Sequence, residues 1–227
     1  MNKKLDGYKG RLNSAQVADG INAAARNARR LAEDAETLLN ANRFPSAASL
    51  AALSIEESGK TSILRALSLA KDDKELVGHW KDYRCHTKKN RAWLLPQLVS
   101  KGARCLDDFK PLFSEEAEHP FLLDQVKQIG FYTDCLGQAR WSIPDEVVDE
   151  HLTRLLVQTA KLLAKTTETT SQEVDLWIKH MGPVWMTDMS EMKKAIVNWY
   201  AEMQQKGLAL QGDNQMDIFI NQGISLK

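Results

Sequence analysis

Residues Arg43–Lys60 read RFPSAASLAALSIEESGK. Between Ala47 and Ile55 the side chains are small or apolar on nearly every side of a helix, which predicts a central helix packed all round. Pro45 suits its first turn. Two adjacent carboxylates, Glu56 and Glu57, close the apolar run, followed by Gly59 and Lys60. At about 100° per residue, Glu56 falls in line with Ala52 and Lys60, and Glu57 with Leu50, Leu53 and Leu64. An i,i+4 ion pair between Glu56 and Lys60 is therefore expected. Glu57 is left on the apolar line, where an unpaired charge costs several kcal/mol, so it needs water or a cation from another helix.

Working outward, Ser14 to Leu39 carries Val17, Ile21, Ala24, Ala28, Leu31, Ala35 and Leu38 at helical spacing, with Ser14 as its expected N-cap. The central helix should run from Pro45 to Lys71. A third helix is expected over about 74–100, kinked or ended by Pro96. It holds the cations that could meet a buried carboxylate: His79, Lys81, Arg84, His86, Lys88, Lys89 and Arg91. On an unbroken helix His79, Tyr83, His86 and Asn90 share one face. A carboxylate facing that histidine could set its tautomer, or could simply lock the two helices together.

Beyond this, a short helix should stop at Gly130, followed by two extended pieces around a turn at Leu136 and Gly137. A long helix is expected from Asp145 to about His180 and another over about 190–206. The tail after Gly207 is polar, weakly patterned and expected to be mobile. The reading is all-α, a helical bundle with a small irregular or hairpin insertion and C-terminal helices. Residues 1–13 form an arm and 14–206 the helical domain. Within that domain, core helices lie at about 14–100, the insertion at about 119–144 and C-terminal helices at about 145–206. The tail is 207–227.

Composition excludes some functions and permits others. Thirty basic and thirty acidic residues give no net charge, so nucleic-acid binding would have to come from a local basic patch. Cys85, Cys105 and Cys135 are widely spaced and read as free thiols of a reducing, cytoplasmic compartment. The basic N-terminus is not followed by an apolar stretch, so no secretory signal is read, and no apolar run of about 18 residues exists to span a membrane. His79, Asp82 and His86 do not make a metal site on a helix, because i,i+7 separates the histidines by about 10 Å. Neighbouring Cys85 and His86 point about 100° apart and make no dyad. Phosphate-binding glycine loops are absent, and neither metal nor cofactor is expected. Trp177, Trp185, Trp199 and Tyr200 read as core or interface aromatics.

The segment NARRLAEDAETLLNANRFPSAASLAALSIEESGK, closing in Glu56, Glu57, Gly59 and Lys60, resembles the start of the AbiV family of bacterial abortive-infection proteins. HWKDYRCHTKKN, with Trp80, Arg84, His86 and Lys89, matches the family's tryptophan and basic segment. Gly130, Phe131, Tyr132 and Asp134, then Trp141 and Pro144, match a third landmark, so the resemblance covers about residues 27–144.

The resemblance implies an HEPN-type helical bundle that acts in phage defence, often as a homodimer. Many HEPN toxins are metal-independent ribonucleases with an arginine, four to six residues and a histidine. Here the residue four intervening positions before His86 is Lys81, and Arg84 is nearer still. The expected site is therefore His86 as acid or base, Lys81 or Arg84 on the phosphate, and Glu56, Glu57 and Lys60 orienting them. Lys88, Lys89 and Arg91 would hold the RNA backbone. The alternative is a non-catalytic toxin or sensor that binds a phage protein or the translation machinery through the basic helix and the C-terminal aromatics. A phage-encoded activator is a further implied partner.

Overall fold

Local capping sets the first helices. The structure, a computed structural model, describes residues 7–225. Helix α1 (Ser14–Asn40) is capped by Asn13, one residue before the expected Ser14. The Asn13 side chain accepts from the Gln16 amide and the Gln16 side chain accepts from the Asn13 amide, which satisfies two otherwise orphaned donors. After a turn with Asn42 in the left-handed region (φ 58°), Pro45 opens helix α2 (Phe44–Ser68). Ala28, Ala32 and Ala35 of α1 share a buried core with Ala47, Ala48, Ala51 and Ala52 of α2. Alanine faces let the two backbones approach closely, close enough for Ser54 Oγ to donate to the Ala28 carbonyl at 2.7 Å.

The expected third helix is divided. Helix α3 (Asp73–Arg84) is capped by Asp72 and ends where Cys85 turns extended (φ −88°, ψ 124°). A single turn, α4 (His86–Lys89), follows. A 3-10 turn (Arg91–Leu94) and α5 (Leu95–Ser100), with Pro96 in its first turn, complete the segment. The break at Cys85 removes the single face predicted for His79, Tyr83, His86 and Asn90. Asn90 is fully buried and donates to the Pro120 carbonyl, so tertiary contacts hold the new direction.

Helix α6 (His119–Phe131) lies across α2. It leads into the segment read as an irregular or hairpin insertion, which is a hairpin of strands β1 (Asp134–Leu136) and β2 (Arg140–Ser142), paired antiparallel with Cys135 opposite Trp141. The predicted 145–180 helix is three pieces: α7 (Pro144–Val147), α8 (Glu150–Leu163) and α9 (Ser171–Met181). Side-chain caps explain the interruptions. Asp149 caps α8, and Thr170 with Glu173 forms a capping box that starts α9 after a threonine-rich stretch. Leu156, Val157 and Ala160 of α8 and Leu123 of α6 close the main core around α2. The expected last helix is α10 (Met189–Gln205), where Trp199 packs edge-on to Trp177 at 5.4 Å. The Arg65 guanidinium lies 5.7 Å from the Trp177 ring and 5.6 Å from the Trp199 ring.

Both chain ends are tied down where described. Tyr8 packs edge-on to Trp80, and Trp80 Nε1 donates to the Gly10 carbonyl. Positions 1–6 of the predicted arm lie outside the described residues. The tail, expected to be mobile, is exposed over 210–213 but anchored further on: Ile220 is buried, Phe219 meets Phe109, and the Ile224 amide donates to the Arg104 carbonyl. Its few apolar residues are enough because a pocket of Leu94, Leu98, Phe109 and Leu112 is waiting for them. The molecule is thus an all-α bundle with one small hairpin. Among the described residues no helix is long and apolar enough to cross a membrane.

Two glycines mark the closest helix approaches. A Cβ on Gly130 would lie 2.3 Å from Ser49 Oγ and 2.9 Å from the Pro45 carbonyl, and one on Gly59 only 2.0 Å from the Lys89 carbonyl. Gly78 of α3 has nothing within 4 Å. Gly59→Ala and Gly130→Ala should each destabilise the protein by about 1–3 kcal/mol in urea unfolding. Gly78→Ala should stabilise it by about 0.5–1 kcal/mol. Similar midpoints for all three variants would contradict the packing described.

Candidate functional site

The two carboxylates of α2 exchange the roles that spacing assigns them. Glu57 pairs with Lys60 at 2.6 Å on a partly covered surface, so the expected Glu56–Lys60 pair is not formed. Glu56 is the buried one, with 2% of its surface exposed. The physical reason is the width of the neighbours. Helices close in along the small residues, so the Ala52–Glu56 line is buried. The Leu50–Leu53–Glu57 line is only half covered.

Two other elements converge on Glu56. From α4, His86 Nδ1 stands 2.6 Å from Oε2, and Lys89 Nζ lies 3.4 Å from the same oxygen. From α6, Lys127 Nζ donates to Oε1 at 2.6 Å. The same ammonium lies 2.6 Å from Asp124 Oδ1 and 3.4 Å from His86 Nδ1. Burial alone would push the Glu56 carboxyl up. Hydrogen bonds from Lys127 and His86, with the charges of Lys127 and Lys89, outweigh burial and hold it below the ordinary carboxylate range. Burial likewise pulls Lys127 down, but its contacts to Asp124 and Glu56 leave it raised. An ionised Glu56 only accepts, so the 2.6 Å contact requires His86 to carry its proton on Nδ1. In the neutral ring Nε2 is the free nitrogen, and the ring is half exposed, with 54% of the side chain in solvent.

Backbone approach makes this convergence feasible. Gly59 lets the Lys89 carbonyl sit against α2, which sets α4 so that His86 and Lys89, three residues apart, both face Glu56. Gly130 does the same for α6, and Ser49 Oγ donates to the Lys127 carbonyl at 3.2 Å.

Of the residues predicted for the site, Glu56, His86 and Lys89 are brought together. Lys89, expected on an RNA backbone, is instead buried with its charge directed at Glu56. Arg84 is held elsewhere: it donates to the Tyr8 carbonyl at 2.5 Å and the Trp80 carbonyl at 3.2 Å, and its guanidinium lies 5.2 Å from the Trp80 ring. Lys60 lies beside the Tyr83 ring. Lys81 is exposed, and Lys88 and Arg91 are half-buried; none of the three has an ion-pair partner among the described residues.

Lys127 and Asp124 were not foreseen. The signal was present: Pro120, Leu123, Lys127 and Gly130 make one buried stripe of α6, and a lysine on such a stripe requires a buried anion. Among the described residues, Glu56, His86 and Asp124 are the carboxylate and histidine donors near enough to share an ion, with ligand atoms within 4.8 Å of one another. Cys85 turns aside to Thr87, its sulfur 3.3 Å from the hydroxyl.

The sequence model of the HEPN AbiV family matches residues 16–165, well over half of the chain and all of the Glu56 cluster. No curated protein and no solved structure gives a significant match.

The depressed Glu56 pKa has a defined sign. Its contribution to stability is present above the ordinary carboxylate value and is lost as pH falls through the lower folded value. At neutral pH, Glu56→Gln should cost about 3–5 kcal/mol in denaturant unfolding, because it leaves buried Lys89 without an anion and Lys127 with Asp124 alone. The gap to wild type should narrow as pH falls through and below the carboxylate range. Glu57→Gln, which removes only a partly covered pair with Lys60, should cost much less. A gap for Glu56→Gln that is independent of pH would refute the ionised state described.

Proposed function

Because the chain belongs to the AbiV family of HEPN-type abortive-infection proteins, which act in phage resistance, we propose that it arrests the growth of the infected bacterium by cutting RNA at His86 without a metal ion. The observation that supports this most is the Glu56–His86 pair. A buried, ionised carboxylate accepts a hydrogen bond from Nδ1–H, which in the neutral ring leaves Nε2 of a half-exposed imidazole as a base. In this reading Nε2 removes the proton of a ribose 2′-hydroxyl. The 2′-oxygen attacks the adjacent phosphorus, the P–O5′ bond breaks, and a 2′,3′-cyclic phosphate is left. The departing 5′-oxygen needs a proton in return. One chain supplies a single His86, so a homodimer, whose second copy brings another, completes the acid–base pair.

Lys81, Lys88 and Arg91 suit contact with the phosphates, because none is engaged in an ion pair among the described residues. Arg84 and Lys89 are less suited, since the arm and Glu56 already hold them. A second reading, arrest by binding a phage protein or the translation machinery, is favoured by one observation. Phe121, Leu122 and Phe131 of α6, Tyr132 just after it and Trp141 of the hairpin are large apolar side chains left exposed. The C-terminal aromatics expected to serve that role pack largely against one another and Arg65.

The test is cleavage of total bacterial RNA in EDTA by purified wild type and His86→Ala, each with and without extract of phage-infected cells. Wild type should yield cyclic-phosphate ends, and His86→Ala should be slower by about 10²–10⁴-fold. His86→Ala should stay folded, because Lys127 and Lys89 still neutralise Glu56. Equal activity of the two proteins, or silence of wild type under both conditions, overturns the ribonuclease reading and leaves the binding one.

A further inference from the structure

The Lys127 ammonium occupies an unusual place. It touches a carboxylate oxygen of Glu56 and one of Asp124, each at 2.6 Å, and lies 3.4 Å from His86 Nδ1. These are the same three side chains whose donor atoms lie within 4.8 Å of one another. Two carboxylates and one imidazole are a donor set that first-row divalent metals accept readily. The contact with Asp124 Oδ1, itself buried, is a close ammonium–carboxylate pair. Lys127 is itself buried, so its charge cannot swing out to solvent.

Charge and size favour the lysine over an ion. The formal charges of Glu56 and Asp124 are balanced by Lys127 and by Lys89, which lies 3.4 Å from Glu56. A divalent ion entering with both lysines in place would meet a neutral cluster and an ammonium at its centre. The ammonium also keeps its oxygens at 2.6 Å, wider than the roughly 2.0–2.2 Å of a zinc–carboxylate bond.

We propose that Lys127 is a tethered cation standing where a divalent metal ion would otherwise bind among Glu56, Asp124 and His86, and that it positions His86 as an Nδ1–H donor while excluding metal from the site. Lys127 is thus a positioning residue: it holds Glu56, and Glu56 holds the imidazole. What the imidazole then does to RNA rests on the function proposed above, whereas the cation replacement does not.

Two measurements test it, neither involving RNA. The first is titration with Co²⁺, followed by its visible absorption. Wild type should take up none at the cluster. Lys127→Ala should bind one equivalent, and adding Glu56→Gln to that variant should abolish the binding. Should Lys127→Ala fail to fold, Lys127→Gln, which keeps a polar chain on a similar stem, carries the same expectation. The second is long-range proton–nitrogen NMR of His86 in the metal-free wild type at a pH where the ring is neutral, which should show the proton on Nδ1. Co²⁺ binding by wild type with broadening of the His86 signals overturns the proposal, because the cluster would then be a metal site that lysine merely borders. So does a folded Lys127 variant that takes up no Co²⁺, or a wild-type His86 with its proton on Nε2. A failure of RNA cleavage leaves all of these results standing, and the two ideas can fall separately.

Discussion

The buried carboxylate of Glu56 is the constraint on which this structure depends. A lone charge at that depth would be prohibitively costly, so the fold has to deliver partners to it. It does so from two directions, with His86 and Lys89 from α4 and Lys127 from α6. The three segments are far apart in sequence, and their meeting defines the relative placement of α2, α4 and α6. Glu56 is the member that the other three share, so the cluster fixes the placement of these helices as well as being a candidate site.

Small residues make that delivery feasible. The alanines of α1 and α2 bring those two helices together, while Gly59 and Gly130 admit the backbones of α4 and α6 to α2. Larger side chains do a different job at the periphery. Tyr8, Trp80 and Arg84 fasten the arm over α3, and Phe219 and Ile220 fasten the tail beside Phe109. Close backbone contacts thus bring the elements of the charged centre together, and aromatics fasten the arm and the tail elsewhere. One imidazole edge remains open to solvent, the condition a base needs if it is to meet a substrate.

Much of the fold was legible because it is local. The α1 and α2 stripes, the hairpin around Gly137 and the last helix follow from periodicity and turn residues. The misreadings have local causes too. A run of threonines with Thr170 and Glu173 divides what reads as one long helix into α8 and α9, since a capping box can outweigh a continuous apolar pattern. The tail reads as mobile because its anchoring groove is made by residues about a hundred positions earlier. For the site, EExGK pointed to the right turn of the right helix but to the wrong carboxylate.

By itself, then, the sequence determined the helical class, the central place of α2, and the need for a buried carboxylate near Glu56–Glu57 to find cations. Composition and periodicity carry that information because burial and helical pitch are properties of short segments. Only the tertiary structure decided which glutamate is buried, that Lys127 supplies the main counter-charge, that Lys89 faces inward, and that Arg84 serves the arm. Those outcomes turn on how near the neighbouring backbones can come, and that distance is set by residues far apart in the chain.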